Sequence, residues 1–274
     1  MQQCVIPFKG MPLFHKASIA PPFTMQGEIK DVACFFYVSK GVMTSFDKRG
    51  RHITATRNAI LKNCGHYIQE FTKDNEFEEC EAIAVFLYPQ LLKEIYKDEV
   101  PSFLTQAKVP TPKQLIGNQL IEQYMMNLSV YFENPSSLDE ELAILKLKEL
   151  VLILLKSENH ENVRQFLSEI FSPINVSLKQ AVENNLYNRL NIDQLAYICN
   201  MSLSTFKREF KKTFQQTPAK YIKQKRLEKA ASLLRSTRLQ VSEIAYDTGF
   251  IDPSTFSTNF HEKYGCSPRK YRLS

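Results

Sequence analysis

The sequence predicts an α+β chain of two domains: an N-terminal β-sandwich or small barrel followed by a helical segment, then an all-α C-terminal domain built on a doubled helix-turn-helix. Three observations predict it. Short β-branched and aromatic runs alternate with turn residues from residue 1 to about 106. From about residue 107 the apolar spacing switches to the period of helices. Residues 190–222 then recur as 239–272, so one supersecondary unit is present twice.

The strand series is read from runs bounded by turns. Phe35 to Val38 stops at Ser39-Lys40-Gly41, and Val42 to Phe46 stops at Asp47 to Gly50. Arg51 to Ala55, Asn58 to Leu61, His66 to Phe71 and Ala82 to Tyr88 follow, with a turn at Asn63-Cys64-Gly65. Turn signals every eight to twelve residues are those of a sandwich or barrel. A short helix is expected from Pro89 to Lys97, because Leu91, Leu92, Ile95 and Tyr96 share one face.

Thr111-Pro112 places a capping residue before proline at a first helical position. Leu120, Tyr124, Leu128 and Tyr131, widened by Ile121, Met125 and Phe132, make one apolar stripe that Asn134-Pro135 ends. A second helix opens near Ser137. It carries Leu138, Leu142, Leu145 and Leu152 on one side and Ile144, Leu147, Val151 and Leu154 on the other. From Leu150 to Leu155 it is apolar all round, which a helix buried on one side does not need. Two partners are therefore expected. Either both lie in its own chain, or one is a second copy of the chain met through Leu142, Leu145, Leu152 and Leu155 as a homodimer. A short helix through Phe166, Leu167, Ile170 and Phe171 precedes a boundary at Ser172 to Asn175, giving domains 1–173 and 174–274.

Inside the repeat, Leu190 matches Leu239, Ala196-Tyr197 matches Ala245-Tyr246, Phe206 and Phe210 match Phe256 and Phe260, and Lys220-Tyr221 matches Lys270-Tyr271. The offset is 49 residues before the turn and 50 after it, so the second turn holds one extra residue. Asn191 with Gln194 opens a capped helix. Asn200, and Gly249 in the second copy, sit where the turn needs a left-handed residue. Ser202 and Asp252-Pro253 start the next helix. Phe206 and Phe210 lie four apart and face inward together, which leaves Ser204, Lys207, Arg208, Lys211 and Lys212 outward. Lysine and arginine suit a helix in a major groove, since they reach phosphates and bond guanine O6 and N7. The second copy offers Ser254, Thr255, Ser257, Thr258 and Asn259, which are small and uncharged. A helix from Thr217-Pro218 joins the copies. Its apolar side includes Tyr221, Ile222, Leu227, Ala230 and Leu234, and its other side reads as Lys220, Lys223, Lys225, Arg226 and Lys229. Such a joint can hold two helices on the order of 34 Å apart, in successive major grooves.

Charge agrees. Residues 174–274 hold 17 of the 35 Lys and Arg but only 8 of the 29 Asp and Glu. The remainder is mildly acidic, so the C-terminal domain is the one expected to meet a polyanion.

Residues 175–273 resemble the AraC/XylS-type DNA-binding domain over its whole length. The likeness rests on Ile192 to Ala196, Tyr221 to Ala230, Val241 to Phe250 and Ser267 to Tyr271. It implies two helix-turn-helix units reading adjacent major-groove segments of double-stranded promoter DNA. It implies base contacts at Ser204, Lys207 and Arg208 and at Ser254, Thr255 and Thr258, with Thr258 departing from the arginine often found there. The N-terminal part resembles a cupin-like regulatory domain at Tyr37 to Gly41 and Lys62 to Gly65, and Asp139 to Leu152 is similar to the dimerisation helix of activators such as the type III secretion regulator ExsA.

The expected function is a DNA-binding transcription regulator, an activator working through RNA polymerase, controlled by a small-molecule ligand among Phe35, Tyr37, Phe46, Phe71 and Phe86. One alternative keeps the DNA role but gates it by a protein partner. Another is a metal-dependent cupin enzyme fused to a DNA-binding domain. That enzyme needs clustered histidines, and His15, His52 and His66 stand apart. No metal, no cofactor and no catalytic residue is therefore expected. The N-terminus lacks the pattern of a signal peptide, the run Leu150 to Leu155 is far too short to span a bilayer, and six cysteines without zinc spacing fit a reducing bacterial cytoplasm, with the chain on the nucleoid.

Overall fold

The computed structural model describes residues 1–96, 114–115, 119–157, 163–164, 166–167 and 176–273. The chain divides into two compact units, Met1–Ser45 with His52–Asn175, and Phe46–Arg51 with Val176–Ser274.

The first contains two antiparallel sheets. Their strands are β1 (Gln2–Phe8), β2 (Met11–Ile19), β3 (Phe23–Ile29), β4 (Ala33–Lys40), β5 (Val42–Asp47), β6 (Gly50–Thr54), β7 (Asn58–Lys62), β8 (Gly65–Thr72), β9 (Cys80–Leu87) and β10 (Gln114–Leu115). One sheet runs β1-β2-β9-β4-β7-β10 and the other β3-β8-β5-β6. The six runs read as strands from the sequence are all strands, displaced by one or two residues at their ends. The first three strands and β10 are additional, and β10 stands where the Thr111-Pro112 signal placed the start of a helix: Gln114 and Leu115 pair with Ile60 and Ala59 instead, and the helix begins at Gln119.

Central β4 is buried on both faces, and strand alternation decides what each residue meets. Phe35 lies opposite Val85 and Leu61, and Tyr37 opposite Ile83 and Ala59. These residues join one core with helices α2 (Gln119–Glu133) and α3 (Glu140–Leu155). Val38 and Phe36 face the other way, into a smaller core with Met43, Ile60 and Phe71 that links the two sheets.

Helix α1 spans Pro89–Ile95 and buries Leu91 and Leu92. Its expected end at Lys97 lies outside the described residues, as do the Thr111-Pro112 start signal, Ile170, Phe171 and the Ser172 to Asn175 boundary. Asp139, not Ser137, caps α3, accepting from the Leu142 amide at 2.8 Å. Ala143, Leu147, Leu150, Val151 and Leu154 of α3 are buried, as are Ile121, Tyr124, Met125, Leu128 and Phe132 of α2. The Tyr124 hydroxyl donates to the Lys146 carbonyl at 2.8 Å. On the opposite side of α3, Leu145 and Leu152 are 54% and 51% exposed. Leu142 and Leu155 are half-buried.

The second compact unit carries α4 (Leu178–Asn185), α5 (Ile192–Ile198), α6 (Leu203–Phe214), α7 (Pro218–Ser236), α8 (Val241–Asp247), α9 (Pro253–Tyr264) and α10 (Pro268–Leu273). Among the described residues no helix is long and apolar enough to cross a membrane. Cys34, Cys80 and Cys199 are buried and Cys64 is exposed, and all six cysteines are free thiols.

Candidate nucleic-acid interface

The two copies, α5-turn-α6 and α8-turn-α9, agree down to ring geometry. Each begins with a reciprocal cap. In the first, the Asn191 side chain accepts from the Gln194 amide at 2.8 Å and the Gln194 side chain accepts from the Asn191 amide at 2.9 Å. In the second, Glu243 accepts from the Gln240 amide at 2.6 Å. Each turn needs one left-handed residue, Asn200 at φ 56° and Gly249 at φ 88°. The residue after it donates back to the small alanine of the first helix, Met201 to Ala196 and Phe250 to Ala245, both at 3.0 Å. The second helix is capped by Ser202, accepting from the Thr205 amide at 3.2 Å, and by Asp252, accepting from the Thr255 amide at 2.7 Å. The extra residue of the second turn is Ile251, which is 77% exposed.

Aromatic side chains hold each second helix on the rest. The Phe206 and Phe210 rings meet at a tilt with centres 5.6 Å apart, and those of Phe256 and Phe260 do so at 5.5 Å. Phe210 meets Tyr221 of α7 edge-on at 5.7 Å, and Phe260 meets Tyr271 of α10 edge-on at 5.3 Å. With all four phenylalanines fully buried, helical geometry turns the remaining positions outward. Ser204, Lys207, Arg208 and Lys211 of α6 and Ser254, Thr255 and Thr258 of α9 all lie on these outward faces, and none of them is buried.

The outward faces differ in chemistry. On α6, Glu209 accepts from Arg208 Nε at 3.0 Å and Lys212 Nζ at 3.1 Å. The Arg208 bond, then the Lys212 bond, hold the Glu209 carboxyl below the usual carboxylate range. Among the described residues, Lys207 and Lys211 have no carboxylate within ion-pair distance, so two ammonium groups one helical turn apart face outward unneutralised. On α9 the polar groups are turned back on the protein. Ser257 donates to the Pro253 carbonyl at 2.8 Å and Asn259 to the Thr255 carbonyl at 2.7 Å. The Thr255 side chain hydrogen-bonds to Asp252. Reading Ser257 and Asn259 from the sequence as outward donors misses these local bonds, which short polar side chains on helices favour.

Arg226 of α7 departs from its sequence reading. It is not on the solvated side with Lys220 and Lys223. It is only partly exposed, and burial pulls its guanidinium pKa down to about 10. Its donors end on the carbonyls of Leu186 at 2.9 Å, Asn188 at 2.6 Å and Gly249 at 2.8 Å, with Leu190 at 3.5 Å. A signal is present in the sequence: residue 226 stands four from buried Ile222 and four from buried Ala230, on the helix face that points in.

The aromatic residues expected to line a ligand site do not share a wall. Phe35 and Tyr37 belong to the core shared with the helices. Phe71 lies in the core between the sheets, and half-buried Phe86 is on that same side, opposite Cys34 in register. Phe46 is buried on the face of β5 opposite to that of Met43 and Ser45, since alternate residues of a strand point to opposite sides. Because β4 is buried on both faces, its apolar run does not reveal which alternate residues look inward. The buried polar side chains of the strands, Ser45, Thr54, Lys62 and Gln69, are not anticipated by the sequence.

A helix-turn-helix domain model matches residues 195–274, and an ExsA N-terminal regulatory domain model matches residues 33–166. The HTH-type transcriptional activator RhaS of Shigella boydii is 35% identical over 138 residues, 50% of this chain and 47% of that protein. The chain thus spans about half the length of the curated relatives it matches. A transcriptional regulator with an AraC-type DNA-binding domain from Chromobacterium violaceum is 30% identical over 31% of this chain and 75% of the solved one, with a TM-score of 0.28. The structure of unsaturated fatty acid bound ToxT from Vibrio cholerae is 12% identical, covers 95% of this chain and 94% of that one, and has a TM-score of 0.39.

Proposed function

We propose, from the premise that this chain belongs to the AraC family of helix-turn-helix regulators, that it binds promoter DNA through residues 190–272 and activates transcription by engaging RNA polymerase. The observation that carries the reading is the outward face of α6, where Lys207, Arg208 and Lys211 project from a helix whose other side is locked by Phe206 and Phe210. In a major groove Arg208 exchanges Glu209 for guanine O6 and N7, a bidentate contact worth about 1–3 kcal/mol of base discrimination. Lys207 and Lys211 reach flanking bases or phosphates. Ser254 and Thr258 of α9 offer hydroxyls that suit phosphate, so the second copy anchors and sets register. Replacing Lys207→Ala together with Arg208→Ala is expected to weaken promoter binding by roughly tenfold or more. The slope of log affinity against log salt should become shallower by up to about 0.9, for the one phosphate that loses Lys207. Unchanged affinity and slope in a titration series would remove α6 from the interface.

The N-terminal part is proposed to control this activity by taking a small effector. The supporting observation is a pair of buried polar groups on the strands. Among the described residues, Ser45 Oγ and Thr54 Oγ1 are buried without a hydrogen-bond partner, and such groups are costly unless a ligand or water meets them. Native mass spectrometry separates this from gating by a protein: a retained small mass supports an effector, and a co-purified polypeptide supports a partner. Homodimerisation through Leu145 and Leu152, with action in the bacterial cytoplasm on the nucleoid, completes the proposal.

A further inference from the structure

Arg226 joins parts of the domain that are far apart in sequence. Leu186, Asn188 and Leu190 belong to the segment that leads into the first copy, with Leu190 next to the cap of α5. Gly249 belongs to the turn of the second copy. One guanidinium in the middle of the connecting helix therefore bonds to carbonyls on both sides of the joint at once. Its rigid planar fork suits this: Nε and both terminal nitrogens each have an acceptor, an arrangement the single ammonium of lysine cannot reproduce. The second copy is shaped around it. Gly249 has φ +88°, and a Cβ there would lie 2.8 Å from Arg226 Nε and 2.8 Å from the Tyr187 carbonyl oxygen. Only glycine gives both that backbone angle and that close approach.

A second set of contacts fixes the same helix to the second copy alone. Lys263 of α9 donates to the Gln224 carbonyl and to Glu228, both at 3.2 Å. These hold α9 on α7 but do not touch the first copy. Arg226 bonds to both sides of the joint at once, and beside it the Arg189 guanidinium lies 4.4 Å from the centre of the Tyr246 ring of the second copy.

We propose that Arg226 is a positioning residue for DNA reading: it locks the two helix-turn-helix copies at one separation and rotation, and so sets the half-site spacing that the protein accepts. The proposal rests on the DNA-binding reading and deepens it. Two readers held rigidly act as one, and the second contact forms at a high effective concentration only if the geometry permits both. A loosened joint keeps each reader but gives up that coupling.

The test uses the full chain and duplexes selected by the wild-type protein from a randomised library. Three probes are made from the selected duplex: the intact site, the site with two base pairs inserted between its halves, and the site with the half read by the second copy scrambled. Binding is measured by fluorescence anisotropy for wild type, Arg226→Met and Arg226→Lys. Wild type should lose on the order of tenfold or more on the inserted site. Arg226→Met should match wild type on the scrambled probe, bind the intact site on the order of tenfold more weakly, and bind the inserted site within about twofold of the intact one. Arg226→Lys should fall between. A variant that retains the wild-type preference for spacing, or that weakens equally on the scrambled and intact probes, overturns the assignment. If Arg226→Met does not fold by circular dichroism, Arg226→Lys and Gly249→Ala, which crowds the guanidinium from the other side, carry the same comparison. If wild type selects no duplex at all, the DNA-binding reading itself fails and the positioning role goes with it.

Discussion

At the scale of single residues, the proposed recognition of DNA turns on who neutralises whom on α6. Glu209 holds Arg208 and Lys212 in the free protein. Both pairs lie at the surface, and pairs of that kind are weak, so Glu209 adds little stability and, on the proposed reading, gives up Arg208 when that residue meets a base. Glu209→Gln is expected to raise affinity for random-sequence duplex several-fold at low salt, to steepen its salt dependence, and to leave the thermal melting midpoint essentially unchanged. An anisotropy titration over a range of salt concentrations reads this directly. The outward positions of α6 are legible in the sequence because Phe206 and Phe210 fix the helix phase and everything else follows from it. The Glu209 pairs are not, since a residue one or three positions from a cation has several rotamers open to it. Arg226 is legible by its spacing from Ile222 and Ala230, but its neighbours Lys223, Lys225 and Lys229 disguise it as one more solvated charge.

At the scale of elements, the copies supply their own controls. Helix α6 ends on Gln215 at φ 56°, and α9 ends on Gly265 at φ 72° in the matching place. A left-handed conformation is unfavourable for any residue with a Cβ, so Gln215→Gly should stabilise the domain by about 0.5–1 kcal/mol in urea denaturation, net of the added chain entropy. Phe210→Ala should do the opposite. That ring is fully buried and touches Phe206, Phe214 and Tyr221, and its removal is expected to cost about 3–5 kcal/mol. The repeat makes these helices readable with their caps and turns. The first three strands are harder. Strand β1 is an edge whose register shifts at Ile6/Pro7, and β3 is the edge of the other sheet with every second residue exposed. Pro7, Lys9, Gly10 and Pro12 read as breakers, yet Pro7 stands on an edge strand and Pro12, opposite it, precedes the part of β2 that pairs with β9, positions where proline is tolerated. The two faces of β4 cannot be told apart in the sequence because both are buried.

At the scale of the whole molecule, the apolar excess of α3 has a location. Leu145 and Leu152, seven apart, are half exposed while the opposite stripe is fully buried. On α2, Met126 and Val130 are 59% and 61% exposed. Exposed apolar side chains gathered on neighbouring helices mark association surfaces. Leu145→Asp with Leu152→Asp should therefore convert the proposed dimer to a monomer in multi-angle light scattering without unfolding the chain, since neither side chain contributes to the buried stripe. Wild-type protein that is monomeric at high micromolar concentration would contradict the dimer.

The claim on which the rest depends is that two structurally matched copies meet DNA unequally. The most direct measurement is library selection repeated with Arg208→Ala and, separately, with Thr258→Ala. Unequal copies predict that Arg208→Ala relaxes base preference at one or two positions of the selected site, and that Thr258→Ala lowers affinity evenly across sequences while leaving the preferred bases unchanged. Base preference abolished by Thr258→Ala and kept with Arg208→Ala would contradict it.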